Sequence, residues 1–182
     1  DAFLLNPKLD PNADEDTRRF EEIDLWCAQQ LNPAQLDFVR SFQPIVRMST
    51  SSFNLGAFHG SPRSNTEVIE AATPDSALDE MLKGFRGNLL VGGHTHVQML
   101  RRYQHRFILN PGSVGLPFER HSDGVYSPYW AEYAIIEAYD SLKFELRCIP
   151  YDARKVIKAI RNSGMPHAEW LAEGWKPPPQ VW

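Results

Sequence analysis

Cysteine is scarce: Cys27 and Cys148 are the only two in 182 residues, far apart and outside any C-x-x-C pattern. Their scarcity excludes a thiolate metal finger and a disulfide framework, and suits two buried thiols in a reducing compartment. Long hydrophobic runs are also missing; no apolar stretch approaches the ~18–20 residues of a membrane-spanning helix. The beginning, Asp1-Ala2-Phe3-Leu4-Leu5, has no initiator Met and turns polar at Asn6-Pro7. That is no secretory leader, so the expectation is a soluble, cytoplasmic protein whose first residues have been cut, tagged or left out. Charge of one sign is lacking too: the formal net charge is -4 and the pI ≈ 5.9. A nucleic-acid binder would show clustered basic charge. A small phosphate ester or nucleotide remains a compatible substrate, because bound metal ions can supply local positive charge.

What is present fits one packed domain. Hydrophobic residues make up 42% and aromatics 12%, without internal repeats or low-complexity tracts. Apolar spacing predicts a helix over 17–31 with Asp14 or Asp16 as N-cap, and a second from Pro33 after Asn32 that ends before Pro44. This helical, cap-like segment is assigned to 1–44. Strand-type runs follow over 45–150, at 45–48, 53–58, 89–91, 106–109, 132–137 and 143–149, with a helix at 75–83 between the second and third. Residues 116–130 read as a long loop, and Asp140-Ser141 as a hairpin turn. The final part, 151–182, holds a helix over 153–161 capped by Asp152, a short helix after Pro166, and an extended proline tail. Helices mixed with strands, the later ones consecutive, indicate an α/β or α+β class.

Three strand ends carry the chemistry. In Gly92-Gly93-His94-Thr95-His96, residues two apart share a side if the segment is extended, so His94 and His96 would aim at one point. Neutral imidazole binds zinc, manganese or iron. His59-Gly60 also follows a strand, where a histidine is well placed to line a site. Asn110-Pro111-Gly112-Ser113-Val114-Gly115 follows a third strand and reads as a rigid supporting loop. His105 is expected on an exposed turn, His121 with Arg120 in a solvated loop, and His167 at a helix start.

In this order the motifs resemble the C-terminal part of the calcineurin-like metallophosphoesterase superfamily, in its small bacterial phosphodiesterase-type form. Ile149-Pro150-Tyr151-Asp152 and the following helix extend the similarity, which spans roughly 45–170. The resemblance implies a four-layer α/β/β/α sandwich and a centre of two divalent ions (Mn, Fe, Zn, Ni or Mg) that hydrolyses phosphodiesters or phosphomonoesters. It assigns His59 and His94 to the second metal and His96 to the first. The Asp-x-His, Gly-Asp and Gly-Asn-His segments of the family are absent from this sequence. Asp1 falls where the acid closing the last of them would stand, orienting an absent histidine. The expectation is therefore that N-terminal strands are missing, that apolar edges are exposed, and that the chain alone does not assemble the dinuclear site. The alternative is a degenerate, non-catalytic binding module of the same fold. A structural zinc site is disfavoured because no cysteine ligand lies nearby. A homo-oligomer is left open.

Overall fold

The computed structural model describes residues 2–50, 52–122 and 124–176. The chain divides into two units. One comprises the chain up to Phe42 with Asp152–Trp175, the other Gln43–Tyr151 with Lys176.

In the helical unit, polar caps set the element boundaries. Helix α1 spans Ala2–Leu5, α2 Glu15–Gln30 and α3 Pro33–Arg40, and after the sheet region come α5, Ala153–Arg161, and α6, Ala168–Glu173. The Asp14 carboxylate accepts from Thr17 N at 2.8 Å and settles the start of α2. Asn32 and Gln35 exchange side-chain and backbone hydrogen bonds at 3.0 and 2.9 Å, a capping box with Pro33 at the first helical position. Asp152 caps α5 as the sequence predicts. Phe20 meets Trp170 edge-on with ring centroids 5.0 Å apart, and Arg19 lies 5.2 Å over the same indole. His167 does start α6, with its ring 2.6 Å from a Glu22 oxygen.

The other unit is built on a five-stranded mixed sheet in the order β1-β2-β3-β5-β4. Its strands are β1 Ile45–Ser49, β2 Asn54–Phe58, β3 Leu89–Val91, β4 Met99–Tyr103 and β5 Arg106–Asn110. β2, β3 and β5 run parallel, while β1 and β4 are antiparallel edges. A parallel β2–β3 pair needs a crossover, which passes through α4, Asp75–Met81. Alternation then sorts the side chains. Phe58, Leu90 and Ile108 pack with Leu78, Leu82 and Phe85 on the α4 face. Leu89, Phe107 and Leu109 face the other way. There, hairpin β8–β9 (Trp130–Ala138 and Leu142–Pro150) brings Phe144 within 5.1 Å of Phe107. Gln98 ties the layers together, its amide nitrogen donating to the carbonyls of Pro111, Tyr133 and Arg147 at 3.1–3.2 Å.

Several elements differ from expectation. β4 is a strand that the sequence conceals: Arg101 and Arg102 mimic an exposed turn. The Arg101 guanidinium is instead drawn inward, donating to the carbonyls of Glu70 and Ala71 and pairing with Asp75. The expected long loop contains a small hairpin, β6 Glu119–His121 with β7 Gly124–Tyr126. The thiols are not both buried: Cys27 is half-buried and Cys148 exposed. The proline tail lies outside the described residues. Among the described residues, no helix is long and apolar enough to cross a membrane.

Candidate metal centre

Because β2, β3 and β5 are parallel neighbours, their carboxyl ends open on one edge of the sheet, the usual place for a site in such sheets. β2 delivers His59, β3 delivers Gly92-Gly93-His94, and β5 ends in Asn110. The backbones stay stitched beyond the strands: Gly92 N donates to Leu109 O at 2.9 Å and Gly93 N to His59 O at 2.7 Å. The His59 and His94 rings stand edge to face, with centroids 5.2 Å apart. Behind His59, Gly60 is obligatory, since a Cβ there would lie 2.7 Å from the Glu67 carbonyl oxygen.

The segment from Gly92 to His96 is not extended, contrary to the sequence reading. His94 and His96 both have φ of 56°. Thr95 N donates to Gly93 O at 2.6 Å, closing a three-residue turn with His94 at its centre. This left-handed three-residue turn is the rare, strained kind, and strained backbone persists only where its surroundings enforce it. The enforcement comes from Asn110, which is 1% exposed. Its Nδ2 donates to Gly93 O at 2.6 Å and to Thr95 Oγ1 at 2.9 Å, while its Oδ1 accepts from Gly112 N at 2.9 Å. One buried amide thus clamps the histidine turn to the Asn-Pro-Gly loop. Sequence reading named that loop as support but missed the residue that does the holding. The available signal was an Asn at a strand end within one strand of two glycines.

Hydrogen bonding and burial orient the imidazoles. His96 Nδ1 lies 2.8 Å from Leu116 O. A carbonyl only accepts, so Nδ1 is the donor here and Nε2 is the ring nitrogen left for a ligand. The His96 ring stacks on Phe118 at 5.1 Å and 23°. His59 is held below the ordinary histidine range, first by burial and then by His94 and His96 beside it. Three imidazole donors suit a borderline transition-metal ion. Among the described residues, however, no three His, Cys, Asp or Glu side chains gather closely enough to hold a metal by themselves. These three imidazoles therefore fit only part of a two-metal centre.

The remaining candidates do not converge here. His105 sits on the exposed turn between β4 and β5, and His121 pairs with Glu119 at 3.3 Å. Arg120 reaches Glu70 at 3.5 Å. Asp1 lies outside the described residues.

No family model matches the chain, and no curated protein matches it. Solved structures do. A hypothetical protein from Pyrococcus horikoshii is 17% identical with a TM-score of 0.70, covering 90% of this chain and 66% of its own. A metallophosphoesterase from Sphaerobacter thermophilus is 23% identical with a TM-score of 0.69, covering 95% of this chain and 71% of its own. The chain spans about two thirds of the length of each. At these identities the likeness speaks for architecture alone. The chain shares the fold of these two structures, one of which is a metallophosphoesterase.

Proposed function

We propose that the protein is a metal-dependent phosphoesterase, with His59, His94 and His96 as nitrogen ligands of a dinuclear centre. The observation that carries this reading is the pair of imidazoles 5.2 Å apart on neighbouring parallel strand ends. Bound divalent ions would supply Lewis-acid charge for the anionic transition state of phosphoryl transfer. The chain's own contribution is orientation. Asn110 fixes the His94 turn, the Leu116 carbonyl orients the His96 ring, and burial holds the His59 pKa down. Candidate substrates are phosphodiesters and phosphomonoesters.

The test uses the full protein, with metal content measured by mass spectrometry and hydrolysis of an aryl phosphodiester compared with the matching monoester. His94→Ala should release metal and lower kcat/KM by ~100-fold or more, the scale of losing one preorganised charge-stabilising group. Unchanged metal content and turnover would overturn the reading. The absence of a three-ligand cluster among the described residues favours a second reading, a non-catalytic module of the same fold. That reading expects neither stoichiometric metal nor turnover in the full protein.

A further inference from the structure

Beside the histidine edge lies a cavity of about 360 Å³, within the range of small-molecule sites. Phe118 is the wall it shares with the candidate centre, since the same ring stacks on His96. Its apolar lining includes Val97, Met99 and Phe118, and its polar lining is Glu70, Thr95, Gln98 and Arg120. We infer that this cavity receives the organic group of the phosphate ester, and that this group is a flat ring with a hydrogen-bonding edge, an aryl or nucleobase group. The inference rests on the phosphoesterase reading and adds the substrate class to it.

Three observations carry it. First, the far wall is fixed: Arg101 donates to the carbonyls of Glu70 and Ala71 at 3.4 and 3.2 Å, and pairs with Asp75. A wall held by a half-sheltered guanidinium is ready-made, so a ligand does not have to order it. Second, the Thr95 hydroxyl accepts from Asn110 Nδ2 at 2.9 Å and from Val97 N at 3.4 Å. With both lone pairs engaged, its proton remains to be given to an acceptor on the ligand. Third, the Arg120–Glu70 pair, 3.5 Å apart, offers one donor and one acceptor side chain among the groups lining the cavity. A half-open apolar cleft with an aromatic wall and a few placed polar groups selects a flat, partly polar ring over an alkyl chain or a bare phosphate.

The experiment is an NMR titration of the full protein with adenosine, which carries no phosphate, with inorganic phosphate as a parallel arm. Adenosine should shift the amides of Thr95, Val97 and Phe118. No shift at these three up to ~10 mM, where even weak binding is visible, would overturn the inference. Val97→Phe, which fills the cavity, should abolish those shifts. It should also cut kcat/KM for an aryl phosphodiester about tenfold more than for a methyl phosphodiester, the discrimination typical of an apolar pocket. If Val97→Phe fails to fold, Ala72→Trp at the exposed side of the cavity serves the same purpose. Equal losses on both esters would overturn the pocket assignment while leaving the phosphoesterase reading intact. Adenosine shifts in a protein that hydrolyses neither ester would retain the ring site and sink the phosphoesterase reading instead.

Discussion

The two faces of the five-stranded sheet are covered to very different degrees. On the α4 face, Leu90 is 0% exposed and Ile108 1%, sealed by Leu78, Leu82 and Phe85. On the opposite face, hairpin β8–β9 shelters Phe107 and Leu109, but Val46 and Met48 on β1 are 50% and 64% exposed. By register, Met48 lies beside Leu55, which lies beside Leu89, so these residues share one face. The same alternation therefore yields a sealed core at one position and open apolar surface three strands away. What differs is the cover, which a strand's own pattern does not encode.

The largest expected effect tests that contrast directly. Leu90→Ala should cost about 3 kcal/mol, because a fully buried side chain leaves both lost transfer energy and a cavity. Met48→Ser on the open face should cost less than about 0.5 kcal/mol. Urea denaturation of both variants measures the difference, and equal losses would mean that the β1 face is covered in solution. Gly112→Ala comes next. Gly112 has φ of 80°, and a Cβ there would lie 2.6 Å from Glu132 Cβ. The strained backbone alone costs on the order of 1–3 kcal/mol. A loss of about 2 kcal/mol or more in the same assay is expected; a neutral result would show that the loop and β8 separate readily.

Asn110→Ala should cost about 1–2 kcal/mol, since it removes the side-chain amide that bridges the Gly93 carbonyl and the Thr95 hydroxyl. Its specific signature is metal affinity. Loss of an outer support for ligating histidines typically weakens metal binding by ~10–100-fold. Titration calorimetry with zinc separates this from simple destabilisation. An Asn110→Ala protein with reduced stability but wild-type zinc affinity would make the amide a purely structural clamp.

Legibility in the sequence followed the same division. Helix boundaries with polar caps were readable because Asp14, Asn32 and Asp152 act on backbone N–H groups two or three residues away. β3 was readable as a short run of Leu89, Leu90 and Val91 ended by two glycines. β4 was not, because the partners that draw Arg101 inward come from about 30 residues earlier in the chain. The histidines were found through residue type and position at strand ends. Their actual conformation, two left-handed residues held by a distant amide, contradicts the local extended geometry that first suggested convergence. A period of two describes a strand, and it stopped applying at Gly92.

The smallest predicted effect concerns the partly covered face again. Glu132 belongs to the side of β8–β9 that carries Phe144, turned toward the sheet. Trp130 donates to one of its oxygens at 3.1 Å, while the other is buried and unpartnered among the described residues. Burial raises its carboxyl above the usual range; the Trp130 hydrogen bond opposes the shift only in part. The fold therefore prefers the protonated acid. Its contribution to stability is fully present below 4.5, the unperturbed value, and is lost as pH rises through the raised folded value. Glu132→Gln removes the charge, so the variant should be more stable than the parent at pH 7. The gain should stay below about 1 kcal/mol, because the site is only half-buried and water screens it. It should shrink toward zero as pH falls to 4.5. Thermal melts of both proteins across that window supply the measurement. A gain that is equal at both ends would assign the effect to packing against Gly112 and not to charge.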